Sequence, residues 1–272
     1  MKKIYFLLAA CALMATGCDN TQNEPKQNEP IPFSTNTVMV ADSIPFPPEA
    51  QEEGLTENMV IYSAVIDTPV TENETLRNNI TGWIGSLLNE DYDGDSQDLK
   101  AMVEFEKKAF MEEMGGEMEM TPAAIEHTIK IAENNDRFVT YFDESWMYMG
   151  GVHGITYMEG ATFSKATGNR FGYKMFKDLD QLNETVKAAL QKQYFDPMLE
   201  EADATFEEVV YSEVSEAFSL PEAEPWIKND SIIFLYEDGE IAPHVFGLPT
   251  CGFSFENLKD ELTEEGKAFF NK

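Results

Sequence analysis

The sequence predicts an α+β fold, with a largely antiparallel sheet packed with helices in two intimately associated lobes. Three observations lead to this prediction. A strand pattern is followed by helical patterns, the hydrophobic period changes to two residues from Arg137 onward, and a helix and final strands follow. Hydrophobic residues make up 43% of the chain, which allows a sizeable core.

The first lobe is predicted over residues 36–135. Alternating β-branched and aromatic residues indicate a strand that Pro69 ends, and apolar residues at helical spacing, Trp83 among them, indicate a helix after it. Gly115-Gly116 should end a second helix, and Thr121-Pro122 has the form of an N-cap and first helical residue. The predicted elements are strands at 38–40 and 58–67, and helices at 72–88, 99–114 and 121–133.

The second lobe is predicted over residues 136–272. Its first part is a meander with a turn at Thr167-Gly168-Asn169, and Asp178 has the form of an N-cap. Residues 200–224 are acidic and indicate short helices. The predicted elements are strands at 138–142, 145–149, 154–163, 226–236 and 239–255, and helices at 178–194 and 257–270.

The N-terminus has the pattern of a lipoprotein signal peptide. Two lysines precede a short apolar run, and Ala15-Thr16-Gly17 then leads into Cys18. We expect residues 1–17 to be removed, Cys18 to be acylated, and 18–35 to form a flexible tether because it is polar and rich in proline. An ordinary secretory signal peptide is the alternative. Both interpretations predict an extracytoplasmic protein, periplasmic or at the cell surface; the first attaches it to the membrane through lipid only.

Charge limits the partners. The chain carries 50 acidic and 19 basic residues, a net charge of −31, and loss of Lys2 and Lys3 would leave 17 basic residues and a charge of −33. Such a chain repels nucleic acid and favours cationic partners, although charge alone is better explained by solubility in a crowded envelope. Of three cysteines only Cys251 would remain free, and we expect it to be a small buried side chain.

Two segments carry a family resemblance. The first contains Gly150-Gly151-Val152-His153-Gly154 and Phe176-Lys177-Asp178-Leu179, and the second contains residues 233–237, Ala242-Pro243-His244 and Gly247. Together they resemble a bacterial domain family of unknown function found in the ectodomain of the anti-sigma factor RsiV and in the non-catalytic part of the peptidoglycan deacetylase PdaC. The resemblance implies a binding role, with lysozyme-like proteins or peptidoglycan fragments as ligands, and no catalytic residues.

The candidate binding residues follow from these two segments. His153 is interpreted either as a ligand contact or general base, or as a ring satisfied by nearby backbone, and Pro243 indicates a strand edge or bulge next to His244. No metal, cofactor or catalytic motif is predicted, and the acidic loop at 91–98 lacks the glycine and glutamate positions of an EF-hand. The candidates are Gly150, Gly151, His153, Gly154, Tyr236, Pro243, His244 and Gly247.

Three functions remain open. The leading hypothesis is a non-catalytic envelope binding module for a cationic protein such as lysozyme or for a peptidoglycan-related ligand. The alternatives are an envelope hydrolase that uses His153 or His244 with nearby carboxylates, and a structural lipoprotein. Trp146 is expected in the core, with an exposed aromatic platform as its alternative.

Overall fold

A computed structural model describes residues 32–48, 58–88, 91–115, 122–200 and 204–271, all within the compact unit Ile31–Lys272. The signal peptide, Cys18 and most of the expected tether lie outside the described residues. The α+β prediction is confirmed, because two sheets pack with helices and every strand pair but one is antiparallel. The first sheet has the order β1-β2-β3-β4-β5, and the second has the order β6-β7-β8.

The strands are β1 Ser34–Pro45, β2 Asn58–Val70, β3 Ala123–Asn134, β4 Phe138–Tyr148, β5 Ile155–Ser164, β6 Trp226–Lys228, β7 Ser231–Leu235 and β8 Thr250–Ser254. The α-helices are α1 Glu74–Ser86, α2 Leu99–Met114, α3 Leu179–Leu190, α4 Asp196–Leu199, α5 Phe206–Val209, α6 Ser212–Glu216, α7 Phe255–Leu258 and α8 Glu264–Ala268. A π-helical turn, Gln191–Phe195, joins α3 to α4, and short 3-10 turns occupy Tyr173–Met175 and His244–Phe246.

Side-chain caps position the first two helices. The Asn73 side chain accepts a hydrogen bond from the Leu76 amide at the start of α1, and Asp98 accepts one from Ala101 at the start of α2. The apolar residues at helical spacing in α1 are buried as predicted, with Trp83 only 5% exposed. The predicted bounds of α2 are also confirmed. Both helices cover the same face of the first sheet, since their buried residues join one core cluster with those of β2 and β4.

The third predicted helix is wrong, because residues 123–134 form strand β3. Their burial alternates, with His127 and Ile129 facing inward, and β3 pairs in parallel with β2 and antiparallel with β4. Pairing with β2 and β4 supplies hydrogen bonds to the β3 backbone, and this tertiary pairing overrides the local helix-start signal of Thr121-Pro122. The parallel β2–β3 pair needs a crossover, and α1 and α2 lie between these strands in sequence.

Other boundaries also need correction. The two strands expected at 138–142 and 145–149 are one strand, β4, which pairs with β5 without a register shift from Phe138 to Met147. The strand expected at 226–236 folds back on itself, because Asn229 and Asp230 take positive φ of 51° and 55° in a two-residue turn between β6 and β7.

The end of the chain is less regular than expected. Of the strand predicted at 239–255 only β8 forms; the segment before it contains Pro243, which cannot donate to a sheet ladder. The single helix predicted at 257–270 is two short ones, because Thr263 starts a new helix by accepting a hydrogen bond from Gly266. The Cys251 prediction is confirmed: the side chain is 2% exposed, and burial raises the pKa of its thiol to about 12.

The two faces of β4 connect the two sheets. Val139 packs in the core beneath α1 and α2, whereas Phe138 belongs to a second core formed with the three-stranded sheet and α3. The first sheet therefore contains strands from both sides of residue 135, the predicted boundary between the two lobes. Within the described residues, no helix combines the length and the apolar character that a membrane crossing requires.

Candidate functional site

Two loops that the sequence analysis singled out meet at one place. The first, residues 149–154, connects β4 to β5, and Gly150 and Gly151 have φ of 86° and 105°, which side chains rarely adopt. The second, residues 237–247, lies between β7 and β8. The rings of His153 and His244 are 5.2 Å apart between centroids, edge to face. We call residues 149–154 and 237–247 together the loop surface.

Local groups orient the two imidazoles. Nδ1 of His244 lies 2.8 Å from Oδ1 of Asp238, whose side chain is 16% exposed while that of His244 is 52% exposed. Nδ1 of His153 lies 3.1 Å from the Gly154 carbonyl oxygen. Within the described part of the chain, no three His, Cys, Asp or Glu residues are grouped as metal ligands. Asp238 and His244 thus form an Asp–His pair in which the imidazole is exposed to solvent.

Apolar side chains are exposed at the loop surface. Val152 is 100% exposed and Val245 81%, and each precedes or follows one of the contacting histidines. The core prediction for Trp146 is wrong: its side chain is 37% exposed and stacks on Tyr148 with ring centroids 6.0 Å apart. It packs on the backbone of Gly154, where a Cβ would lie 2.5 Å from Nε1 of Trp146. Trp146 therefore belongs to an exposed aromatic surface, which was the alternative to a core position in the sequence-based prediction.

The remaining predicted residues divide between surface and core. Pro243 and Gly247 are exposed in the second loop, and Gly247 has φ of 66°. Tyr236 is fully buried, and its hydroxyl donates a hydrogen bond to the Ser219 carbonyl oxygen at 2.9 Å. Its ring packs against Phe218 and has no exposed face for a partner.

A cleft of about 270 Å³ adjoins the loop surface. It opens between strands β3–β5, the end of α1 and the middle of α2, and it shares Glu237 with the second loop. Its lining residues are Ser86, Leu87, Glu106, Ile125, His127, Ser145, Trp146, Met147, Tyr157, Met158, Glu159 and Glu237. His127 was not a sequence-based candidate. The signal that could have identified it is the period-two pattern of Ile125, His127 and Ile129.

A chain of buried polar groups forms one wall of the cleft. The Tyr62 hydroxyl donates to Oε2 of Glu106 at 2.7 Å, and Nε2 of His127 lies 3.1 Å from the same oxygen. On the other side of the ring, Nδ1 lies 2.9 Å from Oγ of Ser145, which donates to Oδ1 of Asp143 at 2.5 Å. Register explains the contact, because His127 and Ser145 are paired across β3 and β4.

Burial perturbs the acids of this region. Desolvation raises the pKa of Asp143 to about 6, although the hydrogen bond from Ser145 acts in the opposite direction. The pKa of Glu237 is also raised, first by burial and then by Glu240, Glu159 and Glu222. Burial likewise raises the pKa of the Tyr62 hydroxyl, which stays a proton donor.

The cleft does not have the geometry of an acyl-transfer site. The Ser145–His127–Glu106 order resembles a nucleophile, base and acid, but the Ser145 proton is donated to Asp143. Ser145 also lies in β4 between β3 and β5, so neighbouring backbone N–H groups serve the sheet ladders and not an oxyanion.

The fold and these two adjoining features define a two-sheet α+β protein with a histidine-containing loop surface. Two solved structures described as DUF3298 family proteins have the same fold. That of Bacteroides fragilis has a TM-score of 0.56 and 12% identity, with 89% of this chain and 97% of that chain covered. That of Pseudomonas aeruginosa has a TM-score of 0.56 and 13% identity, with 90% and 98% covered. At this identity the likeness shows the fold alone.

Sequence comparisons add nothing further. No family model matches the chain, and no curated protein matches it.

Proposed function

We propose that this chain is a lipid-anchored protein of the bacterial cell envelope whose loop surface binds a cationic protein such as lysozyme. The observation that carries the proposal is the meeting of the two loops at His153 and His244, with exposed Val152 and Val245 beside the rings. Loops held by a rigid sheet are the usual carriers of recognition.

The charge of the chain supports a cationic partner. The net charge is −31, and the second loop itself contains Glu237, Asp238 and Glu240. Acidic groups around exposed apolar side chains match the usual arrangement of a polar rim around an apolar interface centre. Complementary charge also accelerates the encounter with a basic partner.

The partner class comes from the family resemblance found in the sequence. The RsiV ectodomain, which belongs to the resembling family, binds lysozyme, and the PdaC domain suggests a peptidoglycan-related ligand as the other choice. A peptidoglycan fragment gains nothing from the negative charge. Its binding would therefore depend little on salt, whereas a charge-steered protein pair weakens steeply as salt rises.

The test compares two apolar-to-acidic variants for binding to lysozyme. Val245→Glu should weaken binding by about tenfold or more, because it places a charge in the proposed interface centre. Met39→Glu, at a side chain 74% exposed on β1, is the matched control and should leave affinity unchanged. Both variants make the chain more acidic, so non-specific attraction would strengthen in both.

Cytochrome c, a small basic protein, is the control ligand at about 0.15 M ionic strength. Equal affinity for lysozyme and cytochrome c, or equal behaviour of the two variants, would contradict the proposal. Salt-independent binding of a muropeptide without lysozyme binding would favour the peptidoglycan ligand instead.

The anchor is tested separately. Cys18→Ala removes the thiol that the lipid would modify, so we expect the variant to lose acylation and to leave the membrane fraction after a carbonate wash. Unchanged mobility and unchanged membrane association would contradict the lipoprotein interpretation.

One observation favours the hydrolase alternative. Asp238 lies 2.8 Å from His244, and such a pair can orient an imidazole as a general base. If the protein releases soluble fragments from peptidoglycan and His244→Gln abolishes that release, the hydrolase replaces the binding module. A structural lipoprotein predicts neither binding nor release.

A further inference from the structure

The cleft next to the loop surface contains more negative than positive charge. Glu106, Glu159 and Glu237 line it, and Asp143 stands behind Ser145. Glu159 is paired with Arg170 at 2.6 Å. Within the described part of the chain, no lysine or arginine comes within 4.0 Å of the carboxylate of Glu106 or of Glu237. Neither carboxylate therefore has a lysine or arginine to pair with, and the basic side chain next to Glu106 is the His127 ring.

The His127 ring adds a second acceptor. The single Ser145 hydroxyl proton goes to Asp143, so the Nδ1 contact at 2.9 Å requires the ring to donate from Nδ1. In the neutral ring Nε2 is then an acceptor, and this buried atom has no hydrogen-bond partner although Glu106 lies 3.1 Å away. Two acceptors thus face each other, with no donor from the described residues between them.

The walls of the cleft are suited to an aliphatic or planar cation. Tyr157 provides aromatic surface, and Leu87, Ile125 and Met147 provide apolar surface. A volume of about 270 Å³ accommodates a group the size of a long basic side chain. Aromatic faces and carboxylates together are the usual means of holding ammonium and guanidinium groups.

We propose that this cleft binds an ammonium or guanidinium group, supplied by a lysine or arginine side chain of a partner protein or by a small free amine. The donor protons of the cation satisfy Glu106, Glu237 and the free Nε2 of His127. The proposal goes beyond the loop surface: it stands on the cleft alone, whether or not a protein docks beside it.

Three capped amino acids test the chemistry with the purified full-length chain. The N-acetyl N-methylamides of lysine and arginine should bind saturably in a calorimetric titration, while the uncharged norleucine derivative should not. Glu237→Gln should weaken binding of the lysine derivative by about tenfold, because one carboxylate partner is lost. Glu184→Gln, an exposed acid on α3, removes the same net charge and should leave affinity unchanged.

Glu106→Gln is the second variant, since it keeps an acceptor for the Tyr62 hydroxyl and should likewise weaken binding. The proposal is overturned if the lysine and norleucine derivatives bind equally, if neither cation binds at millimolar concentration, or if Glu237→Gln matches Glu184→Gln. Tighter binding of 1,5-diaminopentane than of capped lysine indicates a free amine as the source, and the reverse order indicates a protein side chain.

The cleft and docking proposals fail separately. Lysozyme binding without any amine binding overturns the cleft proposal only. Amine binding without lysozyme binding overturns the docking proposal only.

Discussion

Asp143 is a carboxyl group whose burial opposes its ionisation. Its side chain is 3% exposed, and burial, with smaller contributions from the neighbouring carboxylates Glu159 and Glu144, raises the pKa to about 6. The hydrogen bond from Ser145 favours the ionised form and limits the shift. At neutral pH this carboxylate is therefore ionised at a cost to folding stability.

This cost predicts a pH dependence. The folded-state pKa of about 6 lies above the ordinary value of 3.8, so the contribution of Asp143 to stability is fully present below 3.8 and is lost as pH rises through 6. Asp143→Asn keeps an acceptor for Ser145 and removes the titration. The free energy of unfolding of the wild type relative to this variant should increase by up to about 3 kcal/mol between about pH 7 and about pH 4.

Chemical denaturation at several pH values measures this difference. Glu184→Gln is the control, because its exposed side chain should give a difference from wild type that is nearly independent of pH. A wild-type to Asp143→Asn difference that stays constant over the same range would contradict the prediction.

Elements whose signals are local were predictable from the sequence. The amphipathic stripe and Asp98 cap of α2 are both visible in sequence, and the bounds 99–114 are confirmed. Strand β3 was mispredicted although Ile125, His127 and Ile129 recur at period two, because Thr121-Pro122 resembles a helix start and the pairing with β2 and β4 that selects the strand is not local. The cleft could not be predicted from the sequence either. His127 contacts Ser145 only because of the β3–β4 register, and it contacts Glu106 only because α2 packs on the sheet.

The contact between β5 and β6 gives a prediction about packing. Gly160 of β5 lies against the indole of Trp226, and a Cβ at Gly160 would collide with the ring. Gly160→Val should therefore lower the free energy of unfolding by about 1–3 kcal/mol, because overpacking forces side chains and backbone to shift. Gly82→Ala is the contrasting substitution, since no atom lies within 4 Å of its added Cβ.

In helix α1, Gly82→Ala should raise stability by about 0.5–1 kcal/mol because alanine has the higher helix propensity. Thermal and denaturant unfolding of both variants measure the two effects. Equal stability of Gly160→Val and the wild type would show that β6 does not depend on the close approach to β5.

At the scale of the molecule, two cores share one sheet. Hydrogen bonds of fully buried Thr140 and Thr162 join the sheets: the Ile227 amide donates to Oγ1 of Thr162 at 2.8 Å, and Oγ1 of Thr140 donates to the Ile227 carbonyl at 2.9 Å. Buried backbone groups of β6 thus depend on side chains of the five-stranded sheet. Since neither sheet satisfies these groups without the other, we expect both cores to unfold together.

Thr162→Val tests this coupling. It removes the acceptor of a buried amide and should lower the free energy of unfolding by about 1–3 kcal/mol. Hydrogen exchange of Ala64 in β2 and Phe234 in β7, one probe for each core, should report the same loss, because both open in one transition. Thr185→Val is the control, since that half-buried hydroxyl donates to Gln181 in its own helix and lies 3.4 Å from a Glu261 oxygen, so that no buried backbone amide loses its acceptor and the change should cost less. Faster exchange at Phe234 with unchanged exchange at Ala64 would mean that the two cores unfold independently, and the shared β4 would then not couple them.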